Sequence, residues 1–437
     1  MTEERPETAH RRVVYAWCLY DWANSAFATT VMAAVLPTFY RTVAGAGLEG
    51  NRATVYWGYT AALAMLIVAL SAPILGAVAD YCGIKKRLLA AFAALGIGFT
   101  AMLYFVSTGQ WLRASVFFIL AHMGFAGANI FYDSLLPHIA REGEIDQVSA
   151  KGYALGYLGG GLLLAINLAM LLRPSAFFLP NAEMAARASF VTVALWWALF
   201  SIPLFRRVRE PAPVRVIAGP EVHPLLGGFR RLRATFRELR RYRQLAKFLL
   251  AFWLYNDGIG TIIKMAVIYG SEIGIGTTDL IGALLLTQFI GIPCALLFGR
   301  LAGRIGAKRS IFLALGVYTG ISAGGFFMSR AWHFWMMAAM VGLVQGGAQA
   351  LSRSLFGAMV PKSRSAEFFG FYEVSSKFAG IAGPFLFGLV GHLAGTSRWG
   401  ILSLVVFFVG GGLLLATVDE KEGIEVARRT EGQLRAS

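Results

Sequence analysis

The residues of this chain able to do chemistry are few, ionisable and set among apolar neighbours. Asp133 lies in Gly127-Ala128-Asn129-Ile130-Phe131-Tyr132-Asp133-Ser134-Leu135-Leu136. The pattern returns 220 positions later as Gly347-Ala348-Gln349-Ala350-Leu351-Ser352-Arg353-Ser354-Leu355-Phe356, with the charge reversed. An ionised side chain at a bilayer centre costs at least ~2.5–3.5 kcal/mol, so neither charge is expected to be accidental. Two readings stand side by side: Asp133 and Arg353 close an inner gate as a salt bridge, or they bind a substrate.

Further polar residues fall on single helix faces. Asp21, Asn24, Ser25 and Ala28 recur at i, i+3, i+4 and i+7, followed by the groups Asn129, Tyr132, Asp133 and Asp257, Gly260, Thr261, Lys264. Gln345, Gln349, Ser352 and Arg353 form a fourth face, and Glu373, Ser376 and Lys377 a fifth. Asn24, Asn129, Asn256, Lys264, Gln345 and Gln349 are the candidate substrate ligands. For the amides the alternative is bonding between helices, worth about 0.6 kcal/mol on average. Glu373 and Lys377 are candidate gate residues, or neutralise each other at i, i+4. Trp17, Trp22, Trp253 and Tyr255 stack on a ligand or simply pack. Asp21, Asp133, Asp257 and Glu373 outnumber Lys264, Arg353 and Lys377 by one. An excess buried carboxylate can load and release a proton, and Asp21 and Asp257 are the candidates.

The elements that position these residues must cross a membrane. Of 437 residues 57% are hydrophobic and 15% charged, with 33 Phe, 10 Trp and 50 Gly, whereas soluble domains run near ~25% charged. Twelve apolar stretches, each long enough for ~30 Å of hydrocarbon, begin near residues 14, 55, 88, 114, 152, 187, 246, 278, 310, 332, 366 and 398. The net charge of +16 points to membrane lipids rather than nucleic acid. With the N-terminus inside, the inner segments hold about 30 of the 40 Lys/Arg, as the positive-inside rule requires. Both termini are then cytoplasmic, in the inner membrane, and the first span is a retained helix.

Residues 1–206 and 246–417 read as two six-helix halves, 207–245 as a basic linker and 418–437 as a cytoplasmic tail. Leu232, Phe236 and Leu239 recur among arginines in the linker, the pattern of an amphipathic helix on anionic lipid. Leu19-Tyr20-Asp21 pairs with Leu254-Tyr255-Asn256, and 76–86 with 299–309, in the same order. Parallel repeats of this kind place a substrate between the halves near the midplane. Cys18, Cys82 and Cys294 form neither metal spacing nor a disulfide framework. No phosphate loop, metal cluster or Ser–His–Asp set appears, so neither an enzyme nor a cofactor is expected.

The loop Gly76-x-x-x-Asp80-x-x-Gly83-x-Lys85-Lys86-Arg87 resembles the signature loop of the major facilitator superfamily. The resemblance implies a conformational latch there, weaker in the second copy, where Gly303 replaces the acid. It also implies that helices one, four, seven and ten line a cavity. Leu19 to Thr30, Ser149 to Gly161, and Gln345 to Ser354 running into Phe368 to Glu373 resemble the autophagy-linked vacuolar amino-acid effluxers and their bacterial relatives. That resemblance implies a secondary transporter and favours export of a small-molecule substrate such as an amino acid. The excess carboxylate adds protons as the coupling partner, and an all-α monomer is expected. The alternatives are a drug or lipid-like exporter of the same fold, and a non-transporting membrane sensor or assembly factor.

Overall fold

The computed structural model describes residues 6–49, 52–211, 242–378 and 380–436, and the regular elements among them are helical. The N-terminal elements are α1 (Pro6–Ala26), α2 (Arg52–Cys82), α3 (Lys85–Met102), α4 (Trp111–Ile139), α5 (Ile145–Leu172) and α6 (Ala182–Arg207). Then follow α7 (Arg243–Glu272), α8 (Thr277–Ile305), α9 (Ala307–Phe326) and α10 (Ala331–Ala358). The chain ends with α11 (Ser365–Phe378), α12 (Ala382–Ala394), α13 (Ser397–Ser403), α14 (Val405–Ala416) and α15 (Glu420–Ala436). Among the described residues, eight helical stretches are long and apolar enough to cross a membrane. The other predicted spans coincide with α1 and its extension to Ala44, α7, α9, and the pair α11 and α12.

Helices start earlier than the apolar stretches, Pro6 against 14 and Ile145 against 152. Hydropathy marks only the apolar part, while helical hydrogen bonding runs on into polar ends. The eleventh span is broken between α11 and α12, and helix α15 occupies what reads in sequence only as a tail. The first span continues beyond Ala26 as π-helix over Phe27–Val35 and Tyr40–Ala44. Wider π turns change which residues share a face, so the stripe through Asp21, Asn24 and Ser25 does not keep its phase past Ala26. The amphipathic linker segment lies outside the described residues.

Two compact units divide these elements. Unit 1 holds residues up to Ala72, then Ile84–Asp133 and Leu155–Pro211. Unit 2 holds Pro73–Gly83, Ser134–Ala154 and everything from Ala212. Helices α2, α4 and α5 therefore contribute one end to each unit.

Within unit 1, Trp197 of α6 is fully buried, with Phe27 5.8 Å and Phe125 6.1 Å from it between ring centroids. Asn181 caps α6 by accepting from Met184 N at 2.9 Å, and Arg206 and Arg207 sit in its last turn, where cations suit the helix dipole. Within unit 2, Phe252 stacks on Tyr372 at 4.4 Å and Tyr318 on Phe408 at 5.2 Å. Large apolar side chains on the outside, including Leu195, Leu250, Phe385 and Leu413, suit a lipid-facing surface.

Trp197→Ala should lower the unfolding free energy by about 3–5 kcal/mol, the usual cost of emptying an aromatic core position. Leu195→Ala, two residues away on the exposed face, should change it by under about 0.5 kcal/mol. Unfolding titrations in detergent check both.

Candidate functional site

In unit 1 the polar faces of α1 and α4 meet. Asn24 is buried and donates from Nδ2 to Asn129 Oδ1 at 2.6 Å. Trp17 stacks on Tyr132 with centroids 4.5 Å apart and donates from Nε1 to the Tyr132 carbonyl at 3.1 Å. Trp17 is thus engaged in packing. Asp21 and Asp133 are half-buried on the same two helices. Thr29, just past the stripe, donates to the Gly160 carbonyl at 3.1 Å. His122 is buried between the rings of Phe118 and Phe125.

Unit 2 repeats the arrangement at aligned positions. Tyr255, the counterpart of Tyr20, hydrogen-bonds Ser352, the counterpart of Tyr132, at 2.6 Å, and Tyr20 and Tyr132 lie 4.8 Å apart. Asn256 and Gln349 are half-buried and Lys264 is exposed. Gln345 lines a cavity of about 100 Å³ with Tyr269, Thr287 and Gln288, among mainly apolar side chains. Asp257 is fully buried. Among the described residues no group of three or more His, Cys, Asp or Glu is arranged to hold a metal ion.

The end of unit 2 that carries basic loops is closed by buried polar contacts. Asp80, 3% exposed, accepts from Glu367 N at 2.8 Å and Ala366 N at 3.3 Å, in the first turn of α11. A carboxylate there meets both the orphan N–H groups and the positive end of the helix dipole. Gly76 makes the approach possible, because a Cβ on it would lie 2.1 Å from the Ala366 carbonyl oxygen. Glu367, itself buried, is paired with Arg364 at 3.1 Å.

Arg353 is 2% exposed. It donates from Nε to Ser149 Oγ at 2.9 Å and from Nη2 to the Ser149 carbonyl at 3.0 Å, with Tyr153 beneath it at 4.4 Å. Ser149 Oγ in turn donates to the Ala350 carbonyl at 2.7 Å. Ser354 donates to Asp146, and His138 bonds Ser365 at 3.2 Å. Below these contacts lies a cavity of about 710 Å³, lined by Arg141, Glu142, Lys362, Arg428 and Glu431 among others. Helix α15 borders it, with Glu431 accepting from Ser363 N at 3.0 Å and Arg428 paired with Glu142.

Asp133 falls in unit 1 and Arg353 in unit 2. Glu373 is buried, while the Lys377 side chain lies outside the described residues. In the latch loop Gly83 has φ +63° and Lys85 is buried. Lys86 N donates to both carboxylate oxygens of Glu210, at 2.9 and 3.0 Å, and its Nζ to the Val208 carbonyl at 2.7 Å. Arg87 is exposed. Lys308, in the second copy of the loop, likewise donates to the Ala416 and Val418 carbonyls. Lys86 thus reaches the end of α6, and Lys308 the end of α14.

Ser149, Asp146 and Glu210 were not singled out by the sequence as site residues. Ser149 stood only inside a glycine-rich stretch, and a hydroxyl that orients an arginine has no spacing signature of its own.

Asp80→Ala should lower the unfolding free energy by about 1 kcal/mol, as loss of an N-cap does. Gly76→Ala should cost more, because backbones must separate to admit the methyl group. Unfolding titrations of the purified protein test the order, and equal stability of Asp80→Ala and wild type contradicts the cap.

Comparison with known proteins places this geometry. Residues 9–428 match the family described as vacuole effluxer Atg22 like. The chain is 39% identical over 416 residues to the uncharacterized MFS-type transporter YxiO of Bacillus subtilis (strain 168), covering 95% of this chain and 96% of that protein. It is 26% identical over 312 residues to autophagy-related protein 22 of Yarrowia lipolytica, covering 65% of this chain and 52% of that protein. Among solved structures, the proton:xylose symporter XylE superposes with a TM-score of 0.74 at 14% identity, covering 98% of this chain and all of that one. The human organic anion transporter MFSD10 does so with a TM-score of 0.70 at 14% identity, covering 94% and 100%. At that identity these two carry the fold alone, the helical architecture of major facilitator transporters. The chain belongs to the Atg22-like vacuole effluxer family, within the major facilitator superfamily.

Proposed function

We propose that this protein is a secondary transporter that exports a small polar metabolite, foremost an amino acid, by proton-coupled alternating access. The observation that carries the coupling is Asp257, fully buried in an apolar span. A carboxylate there is tolerated in either charge state only through its neighbours, so its proton can follow their rearrangement. Asp21, half-buried in unit 1, is the second proton site. Efflux is supported by the family description.

In this reading the chain sits in the inner membrane with the basic loops and both termini cytoplasmic, works as a monomer, and halves 1–206 and 246–417 rock about the site. Residues 207–245 join the halves on the lipid surface, and 418–437 form the tail. Asn24, Asn129, Asn256, Lys264, Gln345 and Gln349 take the substrate. Asp133 with Arg353, and Glu373 with Lys377, serve as gates, and the contacts of Arg353 with Ser149 and of Asp80 with α11 hold the inner side shut. Inward opening would break them, at a cost that substrate and proton binding offset. The cavity of about 710 Å³ beneath them is the inner mouth of the route. A less polar cargo is the second reading, favoured by the cavity around Gln345, whose lining includes Ile262, Leu284, Met337 and Val341.

A thermal-shift screen of the purified protein against metabolites identifies the cargo, since a ligand at 100 times its Kd stabilises by about 2.7 kcal/mol. With that solute in proteoliposomes, Asp21→Asn and Asp257→Asn should each cut pH-driven transport by about tenfold or more, near 1.4 kcal/mol of coupling. Counterflow exchange should survive. If both variants keep full pH-driven transport, coupling through these carboxylates is excluded.

A further inference from the structure

The break in the eleventh span lies against Asp257. Both carboxylate oxygens of Asp257 are buried and neither makes an aligned hydrogen bond. The N–H groups of Ala382 and Gly383, which open α12, and the Thr261 hydroxyl lie beside the carboxylate, and Lys264, seven residues further along α7, acts on it through its charge. A Cβ built on Gly383 would come 2.7 Å from Asp257 Oδ1 and 2.0 Å from Thr261 Oγ1, so glycine is what lets the turn come so near. Thr261 anchors the same spot by donating to the Asp257 carbonyl at 2.7 Å.

These N–H groups belong to the first turn of a 13-residue helix, where they have no partner within the helix and form the positive end of its dipole. We propose that Asp257 and the first turn of Ala382–Ala394 form a proton-operated latch on the outer part of the eleventh span. Ionised, the carboxylate draws the turn in; protonated, it lets the turn go. This rests on the proton-coupled reading above and adds the element that moves.

The occupant is a proton rather than Na⁺. Sodium needs several oxygen ligands, whereas beyond the Thr261 hydroxyl the groups acting on this carboxylate are two backbone N–H donors and the Lys264 ammonium. Charges on the other helices packed against α7 are occupied or remote along the chain. Arg353 of α10 holds Ser149, and Asp279 of α8 accepts from Trp335 Nε1. Glu373 and Lys377 precede the break on α11, His392 is near the far end of α12, and α14 has no titratable residue. Helix α15 meets α7 at its first turn, where Glu422 accepts from Gln244.

Two aspartates from other helices then meet the two helix starts of this span: Asp80 of α2 at Ser365–Phe378 and Asp257 of α7 at Ala382–Ala394. The first joins the span to the basic-loop end, and the second ties its continuation to α7. A change at Asp257 thereby reaches the span that Asp80 holds.

Hydrogen exchange of the full-length protein in lipid nanodiscs, read by mass spectrometry, tests this without a substrate. At about pH 8, where an ordinary carboxylate is ionised, Asp257→Asn should speed exchange of the 382–386 amides about fivefold or more. Amides of Ala307–Phe326 should be unchanged. Wild type brought to about pH 5.5 should show the same local gain after correction for intrinsic chemistry. Gly383→Ala should reproduce the loosening at both pH values, because its methyl group pushes the turn away while the charge stays. Identical protection in Asp257→Asn and wild type overturns the latch. If Asp257→Asn does not fold, unchanged protection of wild type between the two pH values overturns it equally. Loss of pH-driven transport in Asp257→Asn with unaltered exchange removes the latch and leaves the coupling; altered exchange with intact pH-driven transport removes the coupling.

Discussion

Every charge and every helix end buried in this apolar chain must be answered by another polar group, because neither lipid nor core supplies one. Most of what distinguishes the protein follows from that constraint. Asp80 answers the start of α11, Glu210 the start of α3, and Asn181 the start of α6. Lys86 and Lys308 answer the carbonyls where the last span of each half ends. Arg353 is answered by both oxygens of Ser149 and by the ring of Tyr153. These are partnerships of modest net strength, which suits contacts that a transport cycle must make and remake.

The partnerships are unevenly distributed. At the basic-loop end of unit 2 they are dense and satisfied, with a glycine at Gly76 so that helices touch. At Asp257 the carboxylate is close to its partners without being aligned to them. A lock from α2 and a loosely held acid from α7, both meeting one broken span, make an arrangement that proton loading can bias.

Much of this was legible in the sequence, and for physical reasons. Apolar length marked the spans, and the repeat located aligned pairs, so that Tyr20 with Tyr132 and Tyr255 with Ser352 are neighbours in their own units. Asn24 and Asn129, on the stripes of α1 and α4, bond each other, a pairing that the separate stripes did not specify. The π turns after Ala26 were not legible, because no residue type marks an i→i+5 bond. The break after Phe378 was legible only in part: Gly380, Gly383 and Pro384 punctuate the run, but glycine and proline are also frequent in unbroken membrane helices. The partners of Arg353 were missed because Ser149 lies 204 residues away and carries no charge to draw notice.

The decisive measurement concerns the contact between Asp146 and Ser354. In a background lacking Cys18, Cys82 and Cys294, the pair Asp146→Cys and Ser354→Cys is joined by a short bifunctional reagent with a reducible link. Solute exchange is then timed in proteoliposomes before and after reduction. If these contacts must open in each cycle, exchange stops in the linked protein and returns on reduction. Undiminished exchange with the link intact would contradict a gate at this position.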